Sequence, residues 1–512
     1  MSLYRTKSAA VFGIDAHPID IEVDLHSHGS DRDFVTVGLP DTAVRESRER
    51  IKSALVHSGF GYPSRAVTIN LAPANVRKEG ASFDLPMALG VLGAMGVFRN
   101  HVARQPFDPM IVGELSLDGK IRPVRGVLSI AVCARRQGIP HLIVPAENAH
   151  EAAVVEGVKV YPADNLADVV KLLANADFAV PCAVPAPGRA GEGAVDGLDF
   201  RDVRGQASAK RALEVAAAGV HNALMIGPPG SGKTMLAKRL CTILPLLTFP
   251  EALETTQVHS VAGVLPPGAG LLVERPYRAP HHAVSDAGLI GGGSGTPKPG
   301  EVSLAHNGIL FLDELPEFSR HVLELLRQPL EDGSVSLARS NMSLVFPARV
   351  MLVCAMNPCP CGFWGDASRE CRCTGAIIQR YLGKISGPLL DRIDIQIDVP
   401  AVPYQDLRSK TEGASSSEMR QRVEATRAIQ LARGFYNAYI PPARLREVCA
   451  LDAAGERTLE LAIRKMALSA RAHDRILKVA RTVADLGRSE RVEAKHLAEA
   501  VQYRSLDRGW GA

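Results

Sequence analysis

Hydrophobic and polar positions follow three successive patterns along the 512 residues. From 1 to about 175, short β-rich runs (IDIEVDL, FVTVGL, AVTINL, LIVP and VKVY) alternate with stretches of helical period such as 41–58 and 126–137. β-Branched residues in short runs favour strands, and apolar residues recurring every three or four positions favour helices. The pattern predicts an α/β domain over 1–175. FAVPCAVPAPGRAGEGAVDG at 178–197 is rich in Pro, Gly and Ala and poor in large apolar residues, so a linker is expected over 176–197. Residues 198–400 alternate strands with helices, as a nucleotide-binding α/β core does. From 401 to 512 the chain is almost continuously helix-favouring, with amphipathic period through 452–482 and 488–503. EGASSSE at 412–418 reads as a mobile loop or lid hinge.

Composition narrows the class. Hydrophobic residues at 46% and charged residues at 22% are ordinary globular values, which excludes a disordered or collagen-like chain. No apolar run approaches the roughly 18 residues of a membrane span. The start, MSLYRTKSAAVFGID, lacks the apolar core of a signal peptide. A cytoplasmic protein with reduced thiols is therefore expected. The net charge of +4 is small, but 401–512 carries 20 Lys and Arg against 14 Asp and Glu. A polyanion partner and a solvated helical face both account for that excess.

The chemistry concentrates in the middle segment. An apolar strand from Ala223 to Ile226 runs into Gly227-Pro228-Pro229-Gly230-Ser231-Gly232-Lys233-Thr234, and a helix follows at once. Glycines let successive backbone N–H groups curl around phosphate oxygens, and the helix N-terminus adds its positive dipole end. Lys233 is expected against the β- and γ-phosphates of ATP, with the Thr234 hydroxyl on Mg²⁺.

About 80 residues on, Gly308-Ile-Leu-Phe-Leu-Asp313-Glu314 supplies four apolar strand residues followed by two carboxylates. Asp313 suits the metal and Glu314 the attacking water. A third buried strand, from Arg349, ends at Asn357, which either orients water near the γ-phosphate or merely caps the strand.

Cys359, Cys361, Cys371 and Cys373 crowd into CPCGFWGDASRECRC over 359–373. Two C-x-C pairs can place four thiolates around a tetrahedral structural Zn²⁺, with free thiols or a redox pair as the alternative.

In this order, the run to Thr234, the Asp313-Glu314 pair and Asn357 resemble the Walker A, Walker B and sensor 1 elements of AAA+ ATPases. RPYRAPHHAVSDAGLIGGG at 275–293, PGEVSLAHNGILFLDELPEF at 299–318 and SGPLLDRIDI at 386–395 are similar to the magnesium-chelatase subunit I group. The whole chain resembles the ComM/YifB family, implicated as hexameric branch-migration helicases in natural transformation. That resemblance implies an AAA+ P-loop core, a C-terminal helical lid, a ring-shaped homo-oligomer (a hexamer) and a branched or single-stranded DNA partner. A chelatase-type subunit that remodels a protein partner is the other reading it leaves. Arg392 matches an arginine finger that reaches a neighbour's ATP, Arg471 a sensor 2 arginine, and Gln206 a residue lining the nucleotide pocket. Gly333-SVSLARSNMSLVFPA resembles a pre-sensor 1 hairpin, and Arg339 matches its DNA-touching basic residue; an ordinary exposed arginine is the alternative.

Residues 67–145 resemble a Lon-protease-type domain of the ribosomal S5 domain 2-like fold. Ser82 falls on the nucleophile position, but the position of the catalytic lysine is Ile130. Lys120 lies ten residues earlier and would need a different geometry. Without a general base a serine hydroxyl stays protonated and unreactive, so a non-proteolytic domain is expected.

Overall fold

The computed structural model describes residues 3–26, 34–98, 107–175, 180–184, 197–293, 296–339, 342–366, 369–404, 406, 413–466 and 469–504. Most of the expected 176–197 linker, the hairpin tip Ser340-Asn341 and residues 407–412 lie outside them.

The N-terminal domain is built on a seven-stranded mixed sheet. Across it the strands run Phe34–Val37, Ala66–Ala72, Asp15–His26, Tyr4–Phe12, Met110–Ile111, His141–Pro145 and Lys159–Ala163. The expected β-rich runs and both expected helices (Thr42–His57 and Val127–Arg136) are present. Tyr4–Phe12 and Met110–Ile111 are additional strands that the pattern does not announce. YRTKSAAVF buries Ser8 and Thr6 among its apolar residues, so its alternation is blurred. Helix Asp84–Ala94 is buried along its whole length, and Gly90 and Gly93 let it lie against Val23 and Tyr4 of the sheet. An added Cβ there would meet those side chains at 2.5 and 2.3 Å.

Five parallel strands form the second sheet. Numbered in chain order (Ala223–Ile226, Tyr277–Arg278, Ile309–Leu312, Met351–Met356, Ile395–Asp398), they lie side by side as 2-3-4-1-5. Strands 1, 3 and 4 are buried at every position, as a parallel sheet covered on both faces requires. The order puts strand 4 between strands 1 and 3. The chain reverses its direction of build at strand 1, and ligands of such sheets bind outside the carboxyl ends of the strands at this reversal.

The C-terminal helices Ser416–Ala432, Ala453–Met466, Ala470–Leu486 and Ala494–Gln502 pack on the core rather than standing apart. Met419, Val423, Leu459, Ile476, Val479, Val483 and Leu497 share one apolar cluster with strands 1, 3, 4 and 5. The loop reading of EGASSSE is corrected for Ser416–Glu418, which form the first turn of a helix, while Glu412 lies outside the described residues. Ser415 caps the helix Ser416–Ala432, its hydroxyl accepting from the Glu418 N–H at 3.2 Å while Glu418 accepts from the Ser415 N–H at 2.8 Å. Serine followed by Glu three residues on is a helix start, and that outweighs the loop-like composition.

The N-terminal domain docks on the core through helix Phe249–Ala262. Ser260 Oγ donates to Glu151 at 2.5 Å, and the Gly126 N–H donates to the Ser260 carbonyl at 3.2 Å. Burial pushes the Glu151 carboxyl above its ordinary range despite hydrogen bonds from Ser260 and Asn148. Among the described residues no helix is long and apolar enough to cross a membrane.

Candidate nucleotide site

Strand 1 delivers the glycine-rich loop to the carboxyl edge of the sheet. Gly227 leaves the strand so close to strand 5 that a Cβ would stand 2.0 Å from the Val399 carbonyl oxygen, and its N–H donates to Met356 at 3.2 Å. Gly230 and Gly232 take φ of +76° and +91°, which side chains disfavour. The helix Lys233–Ile243 begins there, aiming its N-terminus into the loop. The Lys233 ammonium is buried and donates to the carbonyls of Gly227 (2.8 Å) and Pro228 (2.9 Å), with Asn357 Oδ1 at 3.3 Å. Burial lowers its pKa, and Asp313 partly offsets the shift. The amine therefore sits among weak carbonyl partners, poised for a stronger anion.

Strand 3 carries Asp313 to the same edge. Thr234 Oγ1 donates to Asp313 Oδ2 at 2.6 Å, which brings the two expected Mg²⁺ ligands together. Oxygen donors of this kind suit Mg²⁺ with its retained waters. Glu314 adopts φ +51°, uncommon for a residue with a side chain. Its N–H donates to Asp313 Oδ1 at 2.9 Å, and its carboxylate is exposed. His282 Nδ1 lies 3.7 Å from Glu314 Oε2, and the His282 ring sits tilted against that of His281, centroids 4.0 Å apart. Motif reading did not assign His282 a role. The His-His doublet within RPYRAPHHAV was the available signal, but nothing in spacing said which carboxylate it would face.

Gln206, at φ +52°, caps helix Ala207–Gly219 and donates to the Ser231 carbonyl at 2.5 Å. Its Oε1 is buried without a hydrogen-bond partner. It lines a cleft of about 530 Å³ shared with Gly205, Lys210, Asp406 and Arg422. An orphaned acceptor beside a cleft, a cradle of glycine N–H groups and a Thr–Asp oxygen pair fit a nucleoside triphosphate with Mg²⁺.

The two family-implied arginines lie elsewhere. Arg392 is almost wholly buried: Nη1 donates to the Pro388 carbonyl at 2.6 Å, Nη2 pairs with Glu331, and Nε has no hydrogen-bond partner. The Arg471 side chain is 66% exposed, with Nη1 3.9 Å from Oδ2 of Asp391, the residue beside Arg392. The structure thus groups Arg471 with Arg392 and groups Lys233, Thr234, Asp313 and Asn357 with one another. One helical turn on, Arg475 pairs with buried Asp394, which also receives the Asn222 N–H at 3.1 Å and faces His221 Nδ1 at 3.4 Å. Burial raises the Asp394 pKa, but Arg475 and His221 together outweigh it and hold the carboxyl well below its usual range.

Arg339 ends the strand Ser334–Arg339, in register with Met342 across the hairpin. The hairpin base is anchored by buried Val335, Leu344 and Phe346. In the N-terminal domain Ser82 lies in a short 3₁₀ turn, Ile130 is buried in helix Val127–Arg136, and the Lys120 side chain is exposed with its ammonium 3.6 Å from Asp118.

A P-loop between strand 1 and its helix, with strand 4 inserted beside it, defines a magnesium-chelatase-like AAA+ protein. Three family profiles agree: "Magnesium chelatase, subunit ChlI" over 199–407, "Subunit ChlI of Mg-chelatase" over 21–148 and "Magnesium chelatase, subunit ChlI C-terminal" over 413–504. The competence protein ComM of Haemophilus influenzae is 44% identical over 99% of this chain and 98% of its own length. YifB of Escherichia coli is 42% identical with the same coverage. The magnesium-chelatase 38 kDa subunit of Rhodobacter capsulatus is 28% identical over 31% of this chain and 50% of its own. The chain belongs to the ComM/YifB family.

Proposed function

We propose that this protein is an Mg²⁺-dependent ATP hydrolase whose hexamer couples turnover to DNA translocation and branch migration. The observation that carries the hydrolase reading is the convergence of Lys233, Thr234, Asp313 and Asn357 at one edge of the sheet. Bound Mg²⁺ would neutralise charge building on the phosphates. Thr234 and Asp313 would hold that ion, while Lys233 binds phosphate oxygens once it leaves the loop carbonyls. Glu314, exposed at the rim, accepts a proton from water, and Asn357 orients that water. Arg392 and Arg471, grouped away from the P-loop, are read as serving a neighbouring protomer's pocket, Arg392 being released from Glu331 on ring assembly.

DNA coupling is supported by full-length similarity to a competence protein and by a hairpin that carries Arg339 at its tip. The N-terminal domain is read as Lon-like in fold and non-proteolytic, because an apolar Ile130 stands where a base is needed. The partial similarity to a chelatase subunit favours a second reading, in which hydrolysis remodels a protein partner. ATPase rate measured against forked-DNA concentration separates the two. A rising curve with strand displacement supports the DNA motor, and a flat curve supports the remodelling subunit.

A further inference from the structure

Two residues beyond Asn357 the chain enters a tight turn lined by sulfur. Cys359 is fully buried, Cys361, Cys371 and Cys373 are half-buried, and none forms a disulfide. The four Sγ atoms lie within 4.8 Å of one another. Cys359 stands 3.3 Å from Cys361 and 3.7 Å from Cys371, and Cys361 stands 3.6 Å from Cys371. Four sulfurs each about 2.3 Å from a tetrahedral ion are separated by roughly 3.8 Å, so the spacing is that of a thiolate cage. Backbone amides point at the sulfurs as well. The Trp364 N–H donates to Cys359 at 3.3 Å and the Cys373 N–H to Cys371 at 3.4 Å, while Phe363 and Arg372 donate to Cys361.

The cage leans on the nucleotide loop. Gly362, between the first two cysteines and Phe363, has φ +84°, and its N–H closes the turn onto the Cys359 carbonyl at 2.9 Å. A Cβ at Gly362 would lie 2.5 and 2.7 Å from Cδ and Cγ of Pro229, in the P-loop itself. Proline is a rigid ring, so that contact has no soft side chain to absorb a displacement. On the other side of the turn, the Asn357 that faces Lys233 is joined to Cys359 through a single residue.

We infer that Cys359, Cys361, Cys371 and Cys373 bind one Zn²⁺, and that the filled cage braces the P-loop through Gly362 against Pro229. The bracing half rests on the ATP-hydrolase reading of the pocket; the zinc half does not. Thiolate-only ligation selects Zn²⁺ over Mg²⁺, which needs oxygen donors, so the two metals occupy separate sites. Zinc contributes no chemistry to phosphate transfer in this scheme. It holds in place a loop whose geometry sets phosphate affinity.

The experiment takes the full chain expressed with zinc present. Elemental analysis is expected to find about one Zn²⁺ per chain. Iron in its place, or neither metal, overturns the zinc assignment. Gly362→Ala keeps all four thiolates, so it is expected to retain zinc while binding a fluorescent ATP analogue about tenfold more weakly in Mg²⁺. Cys371→Ser is expected to lose both. Because that variant can fail to fold, wild type stripped with a mercurial thiol reagent and returned to Mg²⁺ buffer provides a second test. It should bind the analogue more weakly and recover when excess thiol displaces the mercurial and zinc is resupplied. Unchanged affinity in both Gly362→Ala and stripped wild type overturns the bracing. A parent that carries zinc but binds no nucleotide overturns the pocket reading and the bracing together, and leaves the zinc site standing.

Discussion

Thr234 and Asp313, 79 positions apart in the chain, share a hydrogen bond of 2.6 Å at the carboxyl edge of the parallel sheet. The bond joins the end of strand 3 to the first turn of the P-loop helix. It leaves the two oxygens close enough to serve one cation, with Lys233 and Asn357 on the same rim. Glu314 follows Asp313 but points outward. Binding and turnover should therefore separate by mutation.

Lys233→Ala is expected to abolish nucleotide binding, whereas Glu314→Gln binds ATP and does not turn it over. In the proposed mechanism Lys233 contacts phosphates in the ground state, and Glu314 acts on water only as the reaction proceeds. Titration with a fluorescent ATP analogue beside phosphate release checks both. Normal turnover by the Glu314 variant would remove that residue from the catalytic role.

Arg392→Ala should leave ATP affinity nearly intact and lower hydrolysis by about 10³-fold, the lower range for arginine fingers. Mixing it with Lys233→Ala should restore some turnover, since in mixed rings an intact pocket can meet a neighbour's intact arginine. Absence of rescue at every ratio, with mixed rings verified by mass, would place its action within its own protomer.

Arg475 and Arg471 lie one turn apart and should behave oppositely. Arg475→Ala removes the arginine partner of buried Asp394 and leaves it only His221 and the Asn222 N–H, at a cost of about 3 kcal/mol by denaturant unfolding. Arg471→Ala, at an exposed position, should change stability by less than about 0.5 kcal/mol while reducing turnover. The pH dependence carries a sign. Asp394 titrates lower folded than unfolded, so its contribution is present above the unfolded value near pH 4 and disappears as pH falls through the folded one. The gap between parent and Arg475→Ala should accordingly narrow on acidification below about pH 4. A gap that widens there would contradict the assignment.

Arg339→Ala tests the DNA reading. Loss of one phosphate contact should weaken binding equally across sequences and reduce the salt slope by about one. Basal ATPase without DNA should survive, and stimulation by forked DNA should fall. Overlapping stimulation curves for parent and variant would remove Arg339 from the DNA path.

Much of this architecture is legible in the amino-acid order because its causes are local. The glycines of 227–232, the four apolar residues before Asp313 and the alternating runs of the first domain declare turn, buried strand and half-buried strand without reference to distant residues. The capping box at Ser415 was equally local, yet it was obscured by the serine run around it, whose composition resembles a loop.

By itself the sequence determined most of the strand and helix segments, where the backbone N–H groups of the glycine loop are gathered, and which four thiols travel together. Partners across the chain were decided only by the tertiary structure. Strand 4 enters between strands 1 and 3, which brings Asn357 to Lys233 across 124 positions. Likewise His282 meets Glu314, Arg392 is buried against Glu331, and Gly362 lies on Pro229. Periodicity records how each segment divides itself between core and solvent, a property of neighbours three or four residues away. Strand order and the contacts it creates arise from how several such faces are buried together, and no single segment carries that information.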